Sequence, residues 1–290
     1  MRIRIPEQLC SERSTLRDRL NEMQSTGEAG SALPREILAL LPDDLVGAPA
    51  FLESMTRMWR YEYGEAYENI GGHATMYGTD QCPSVDRLVR VLRCAQRHLD
   101  EGQLKSYLSL LTQRSRHDEA LAEFTPVLRL PEDVSLTYET KDYSPNGKTV
   151  DWFIDTHQGR PMLLEVKCRK RDLLDNTAQI LANPGATPAE FMPRPQSERL
   201  FDDVEAKFLA RSSKEILQGV WIRSPIAQHR DSLEHAFDDL DHSKVHFAVL
   251  ANSSAEAYVL SRESADRDHI LETFELTQSD RFIIADGAAG

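Results

Sequence analysis

The chain has 290 residues, with 34 Lys and Arg against 47 Asp and Glu and a formal net charge of −13. That balance argues against a protein that coats DNA or RNA by bulk electrostatics, while leaving room for a local basic groove. No apolar stretch approaches the ~18 residues of a membrane-spanning helix, the start lacks the apolar core of a secretory leader, and the cysteines show no CxxC pairing, so a cytoplasmic protein with reduced thiols is expected.

Residues 1–113 read as a helical region. Pro6 opens a helix, and Leu9, Leu16, Leu20 and Met23 follow at mostly helical spacing. A small-residue break over 27–31 precedes a short helix at 34–41 and a longer one at 48–70, closed by Gly71 and Gly72. The cleanest helix spans 83–99, where Val85, Leu88, Val89, Leu92, Ala95 and Leu99 trace one face. Gly102 is expected to end it, and 103–112 continues as another short helix. Cys94 and His98, with Cys82 upstream, make at most half a zinc site; without an evident fourth ligand they read as residues on or near an apolar helix face. The aromatic cluster Trp59, Tyr61, Tyr63 and Tyr67 is better explained by helical packing than by base stacking.

The texture changes near residue 115. A short helix at 116–124 gives way to strands at 134–143 and 148–155, joined through Asn146-Gly147, a dipeptide suited to a tight hairpin turn. A second turn at 156–160 leads to a third strand at 161–168, completing an antiparallel meander. A Pro-rich excursion follows, then a helix at 197–212, a strand at 218–223, an acidic helix at 231–240 and an apolar strand at 245–251. Residues 257–260 suit an edge strand and 281–285 another. The expected class is therefore α/β: a mixed sheet flanked by helices, with an αβββαβ core over residues 114–290, preceded by the helical N-terminal region.

The chemistry concentrates in Val150-Asp151-Trp152-Phe153-Ile154-Asp155 and Glu165-Val166-Lys167. Alternation along a strand puts Glu165 and Lys167 on one face. If the two strands pair in the meander, Asp151 approaches Glu165 beside Lys167. Two carboxylates at ~4 Å repel by about 4 kcal/mol at an effective dielectric of ~20, so they need a cation. Mg²⁺ suits an all-oxygen site, with Mn²⁺ as a substitute. Such a metal lowers the pKa of a bound water and polarises a phosphoryl oxygen, which is the logic of phosphodiester hydrolysis; an adjacent ammonium orients the water or offsets developing charge. Acids and lysines in strands are most often a solvated face. Here, however, Glu165 and Lys167 alternate within an otherwise apolar run, Met162 to Cys168. Asp155 reads as a strand-end residue.

A strand Asp, a hairpin and Glu-x-Lys on the next strand resemble the PD-(D/E)XK nuclease superfamily, whose core has the αβββαβ order. The resemblance implies that Asp151 and Glu165 are the metal-binding acids and Lys167 the catalytic lysine. It also implies a further acid on the preceding helix, with Glu123 the preferred match and Glu119 the alternate. Val150 stands where the motif has its proline, which supplies no ligand. The resemblance does not cover the N-terminal region, which is expected to select substrate or partner.

Arg169, Lys170 and Arg171 follow the motif directly and read as a phosphate-contacting lip, with Lys207 and Lys214 on the next helix as extensions. The expectation is a Mg²⁺-dependent nuclease acting on nucleic acid, DNA ahead of RNA, as a homodimer or with a partner protein. Defence against foreign DNA, restriction, repair and toxin activity are all consistent with the resemblance. The alternative is a catalytically inactive nuclease-fold module that binds nucleic acid or a partner protein.

Overall fold

The computed structural model describes residues 35–59, 85–113, 116–131, 134–156, 159–168, 200–223, 228–251 and 255–284. The chain divides into two units, Met1–Phe124 and Thr125–Gly290. The expected helix near the N-terminus, the small-residue break and most of the aromatic cluster lie outside the described residues. Among the described residues no helix is long and apolar enough to cross a membrane.

In the first unit the described helices are α1 (Arg35–Leu38), α2 (Asp43–Val46), α3 (Pro49–Trp59), α4 (Val85–His98), α5 (Glu101–Leu111) and α6 (His117–Phe124). Leu88, Val91, Leu92, Ala95 and Leu99 form the buried side of α4 and its end. Val91 takes the place expected for Val89, which is only half-buried. Gly102 does not end a helix. Asp100 caps α5 instead: its side chain accepts from Gln103 N at 2.8 Å, while Gln103 Oε1 accepts from Asp100 N at 3.1 Å. This reciprocal cap satisfies two orphan donors and contributes about 1 kcal/mol. The Tyr107 hydroxyl donates to Ala120 O at 2.8 Å, joining α5 to α6. Burial pushes the Cys94 thiol up to about 11, so it stays protonated as a packing residue.

The second unit is built on a seven-stranded mixed sheet, ordered β1-β2-β3-β4-β6-β7-β8. Its strands are β1 (Ser135–Thr140), β2 (Val150–Asp155), β3 (Met162–Cys168), β4 (Leu217–Arg223), β6 (Phe247–Ala251), β7 (Glu256–Ser261) and β8 (Thr277–Gln278). The expected meander is present: β1, β2 and β3 pair antiparallel. β4 then joins β3 in parallel, and β6 joins β4 likewise. The turn at Pro145–Gly147 is a 3₁₀ turn within a longer connection, with Gly147 at φ 69°, where a side chain would be strained. β7 is no edge strand, because β8 pairs with its outer side. β5 (Gln228–His229) and β9 (Ile283–Ile284) form a separate two-stranded sheet.

The described helices of this unit are α7 (Arg230–Asp238) and α8 (Ser264–Thr273). On one face of the sheet Leu163, Val220, Ile222, Ala248 and Leu250 pack with Leu233, Ala236 and Phe237 of α7. Leu200, Phe201, Val204 and Phe208 from the connection into β4 join that core. Each such side chain contributes about 1.5–3 kcal/mol by leaving water. On the other face Trp221 meets Phe274, just after α8, edge-on at 5.4 Å. The helix expected at 197–212 is not formed over its described part. Asp203 adopts φ 64°, which interrupts a helix, and only a 3₁₀ turn at Glu205–Lys207 follows.

Candidate active site

The site lies where β2 and β3 part. Their ladder begins at Trp152↔Leu164; extending that register by one residue sets Asp151 opposite Glu165. Asp151 is outside the ladder with β1 as well, since Tyr138↔Trp152 and Thr140↔Val150 pair but the residues between them do not. On β1 that skipped position is Glu139, held at φ 50°, a conformation costing a non-glycine residue of order 1 kcal/mol or more. The carboxylate of Asp151 replaces the missing backbone partner: Val166 N donates to its Oδ2 at 2.7 Å. That N–H belongs to the peptide joining Glu165 to Val166, so the first acid is seated against the backbone of the second.

Glu165 is 2% exposed, within a run buried from Met162 to Val166. A carboxylate so placed requires cations. Two are present on the same oxygen: Lys167 Nζ lies 2.9 Å and Lys207 Nζ 3.0 Å from Glu165 Oε1. Lys207 also donates to Thr149 O at 3.1 Å, just before β2. The other oxygen, Glu165 Oε2, is buried and has no hydrogen-bond partner among the described residues. A buried carboxylate oxygen left unsatisfied costs about 1–3 kcal/mol.

The structure thus places Lys167 on Glu165, and Asp151 on the peptide N–H that follows Glu165. Asp155 ends β2 opposite Ser135, away from this point. Glu123 and Glu119 lie on α6, in the first unit. Arg169, Lys170 and Arg171 lie outside the described residues. Lys207 is not an outward phosphate contact on a helix; it sits on a 3₁₀ turn with its ammonium on Glu165. The signal for it was weak: a lysine near two apolar residues, Val204 and Phe208, which the core buries.

Among the described residues no group of three or more His, Cys, Asp and Glu gathers as a metal cluster. Mg²⁺ needs less, because it keeps several waters and takes one or two carboxylates together with substrate oxygens. The carboxylates of Asp151 and Glu165 fit that demand in number and in hardness. Comparison of the chain with protein-family models, curated proteins and solved structures returns no match.

Proposed function

We propose that this protein is a metal-dependent nuclease that hydrolyses phosphodiester bonds of nucleic acid, DNA ahead of RNA. The observation that carries the reading is Glu165: a buried carboxylate with one oxygen gripped by two ammonium groups and the other without a hydrogen-bond partner among the described residues. In this reading Asp151 and Glu165 hold Mg²⁺ or Mn²⁺. Such a metal, when bound, would supply the acidified water and the polarisation of the phosphoryl oxygen. Lys167, 18% exposed at its side chain, is close enough to solvent to meet substrate. It orients the attacking water and offsets charge that builds on the phosphate. The Val166–Asp151 bond holds the first acid in place, so little reorganisation is needed when substrate arrives. The resemblance to the PD-(D/E)XK superfamily supports the same roles. Net charge −13 further implies weak binding to nucleic acid away from the site.

The test is cleavage of linear DNA, circular DNA and RNA with Mg²⁺, with Mn²⁺ and with chelator, for the full chain and for Lys167→Ala. Metal-dependent cleavage that falls about 100-fold or more in the variant is expected. Cleavage indifferent to chelator or to Lys167 refutes the mechanism. Binding without cleavage under every ion identifies an inactive binding module instead.

A further inference from the structure

We infer that Lys207 is a positioning residue of this site, fixing the plane in which the Glu165 carboxylate lies; the inference rests on the reading of Glu165 as a metal-binding acid. The terminal torsion of a glutamate is broad, so one ion pair on a long side chain leaves the carboxylate plane free to rock. Lys207 adds a second contact. Its ammonium bonds Thr149 O at 3.1 Å and Glu165 Oε1 at 3.0 Å. It therefore approaches the carboxylate from a point fixed on the chain entering β2. With Lys167 at 2.9 Å on the same oxygen, Oε1 is occupied twice and Oε2 is the oxygen left over.

The turn that carries Lys207 is itself held. Val204 and Phe208, at 0% and 1% exposure, anchor it on either side in the core beneath β3 and β4. Gln218 Nε2 of β4 donates to Leu209 O at 2.8 Å just beyond it. Glu205, at the start of the same turn, accepts from Asp241 N. A flexible lysine on a mobile loop would serve charge balance alone; one fixed on both sides serves orientation. Lys207 thus links three separate pieces of chain: the entry to β2, the acid on β3 and the connection into β4.

The experiment compares the full chain with Lys207→Met, which keeps the stem and loses the ammonium, and Lys207→Arg, which restores a cation with several donors. Three measurements are made: the ¹³C shift of the Glu165 carboxyl in metal-free protein, Mn²⁺ affinity by calorimetry, and DNA cleavage. Lys207→Met is expected to move the Glu165 carboxyl signal, weaken Mn²⁺ binding by tenfold or more and lower kcat while leaving KM within threefold. Lys207→Arg is expected to return each value most of the way. Lys207→Gln, which keeps a donor without charge, replaces Lys207→Met if the latter does not fold. An unmoved carboxyl signal with unchanged Mn²⁺ affinity overturns the inference while leaving the nuclease reading intact. A moved signal that Lys207→Arg reverses, in a protein that binds no Mn²⁺ even as wild type, supports the positioning role and defeats the metal reading.

Discussion

Val166 donates its backbone N–H to Oδ2 of Asp151 at 2.7 Å, so a side chain takes over a hydrogen bond where the ladder of β2 and β3 has stopped. The same carboxylate is thereby part of the fold and part of the candidate site. This duality separates two substitutions. Asp151→Asn keeps an acceptor for Val166 N and should melt within a few degrees of wild type, yet lose metal-dependent cleavage. Asp151→Ala leaves a buried N–H unpaired, costing about 1–3 kcal/mol, or roughly 2–4 °C of melting temperature for each kcal/mol. Thermal denaturation followed by circular dichroism, beside the cleavage assay, checks both. Equal melting of the two variants would show that the bond carries no structural weight.

Glu165→Gln removes the charge that Lys167 and Lys207 share. Both ammonium groups retain some solvent access, at 18% and 23% exposure, so the penalty should fall below that of breaking a fully buried pair, at about 1–3 kcal/mol. Cleavage and Mn²⁺ binding should vanish together. Retention of Mn²⁺ binding in calorimetry would place the metal elsewhere.

A second buried charge pair lies in the sheet unit. Asp266, 1% exposed on α8, is bound by the Arg160 guanidinium, which also donates to Ser213 O at 3.0 Å. Arg160→Met strands a buried carboxylate and should cost about 3–5 kcal/mol. The double variant Arg160→Met with Asp266→Leu should recover most of that loss, since an apolar pair of similar volume needs no counter-charge. Chemical denaturation of the single and double variants measures the recovery; losses that simply add would exclude coupling.

Stability should also decline on mild acidification. His246 is buried, and its Nδ1 accepts from Gln218 N at 3.0 Å, so the imidazole is held neutral; burial is the main force lowering its pKa below the usual 6.5. In the unfolded chain the same group takes up a proton near pH 6.5. Its contribution is therefore complete above that pH and is lost as pH falls towards the lower folded value. His246→Asn offers an oxygen in place of Nδ1 and cannot titrate. Melting temperatures between pH 7.5 and 5 should fall less steeply for the variant than for wild type; parallel curves would assign the acid sensitivity to other groups.

Much of the fold was legible because its signals are local. The apolar run over 245–251 marked β6, and the turn signals between 134 and 168 marked a meander that the pairing of β1, β2 and β3 reproduces. Helix α8 was missed for an equally local reason. Its sequence, SADRDHILET, buries only Asp266 and Ile270, so it carries no apolar stripe to read. The helix expected at 197–212 failed because Asp203 enters the left-handed region, a backbone choice that helical periodicity does not encode.

The candidate site divides along the same line. Glu165 and Lys167 are two residues apart in a strand, and strand geometry alone places them on one face, as their 2.9 Å contact reflects. Sequence by itself determined that pair, together with the order of strands around it. Tertiary structure decided the rest. It put Asp151 on the amide of Val166 where two ladders lapse, and it delivered Lys207 from a distant turn to the oxygen Lys167 already holds. Periodicity is set by neighbouring residues, whereas these contacts depend on cross-strand register and on how the connection into β4 packs beneath the sheet.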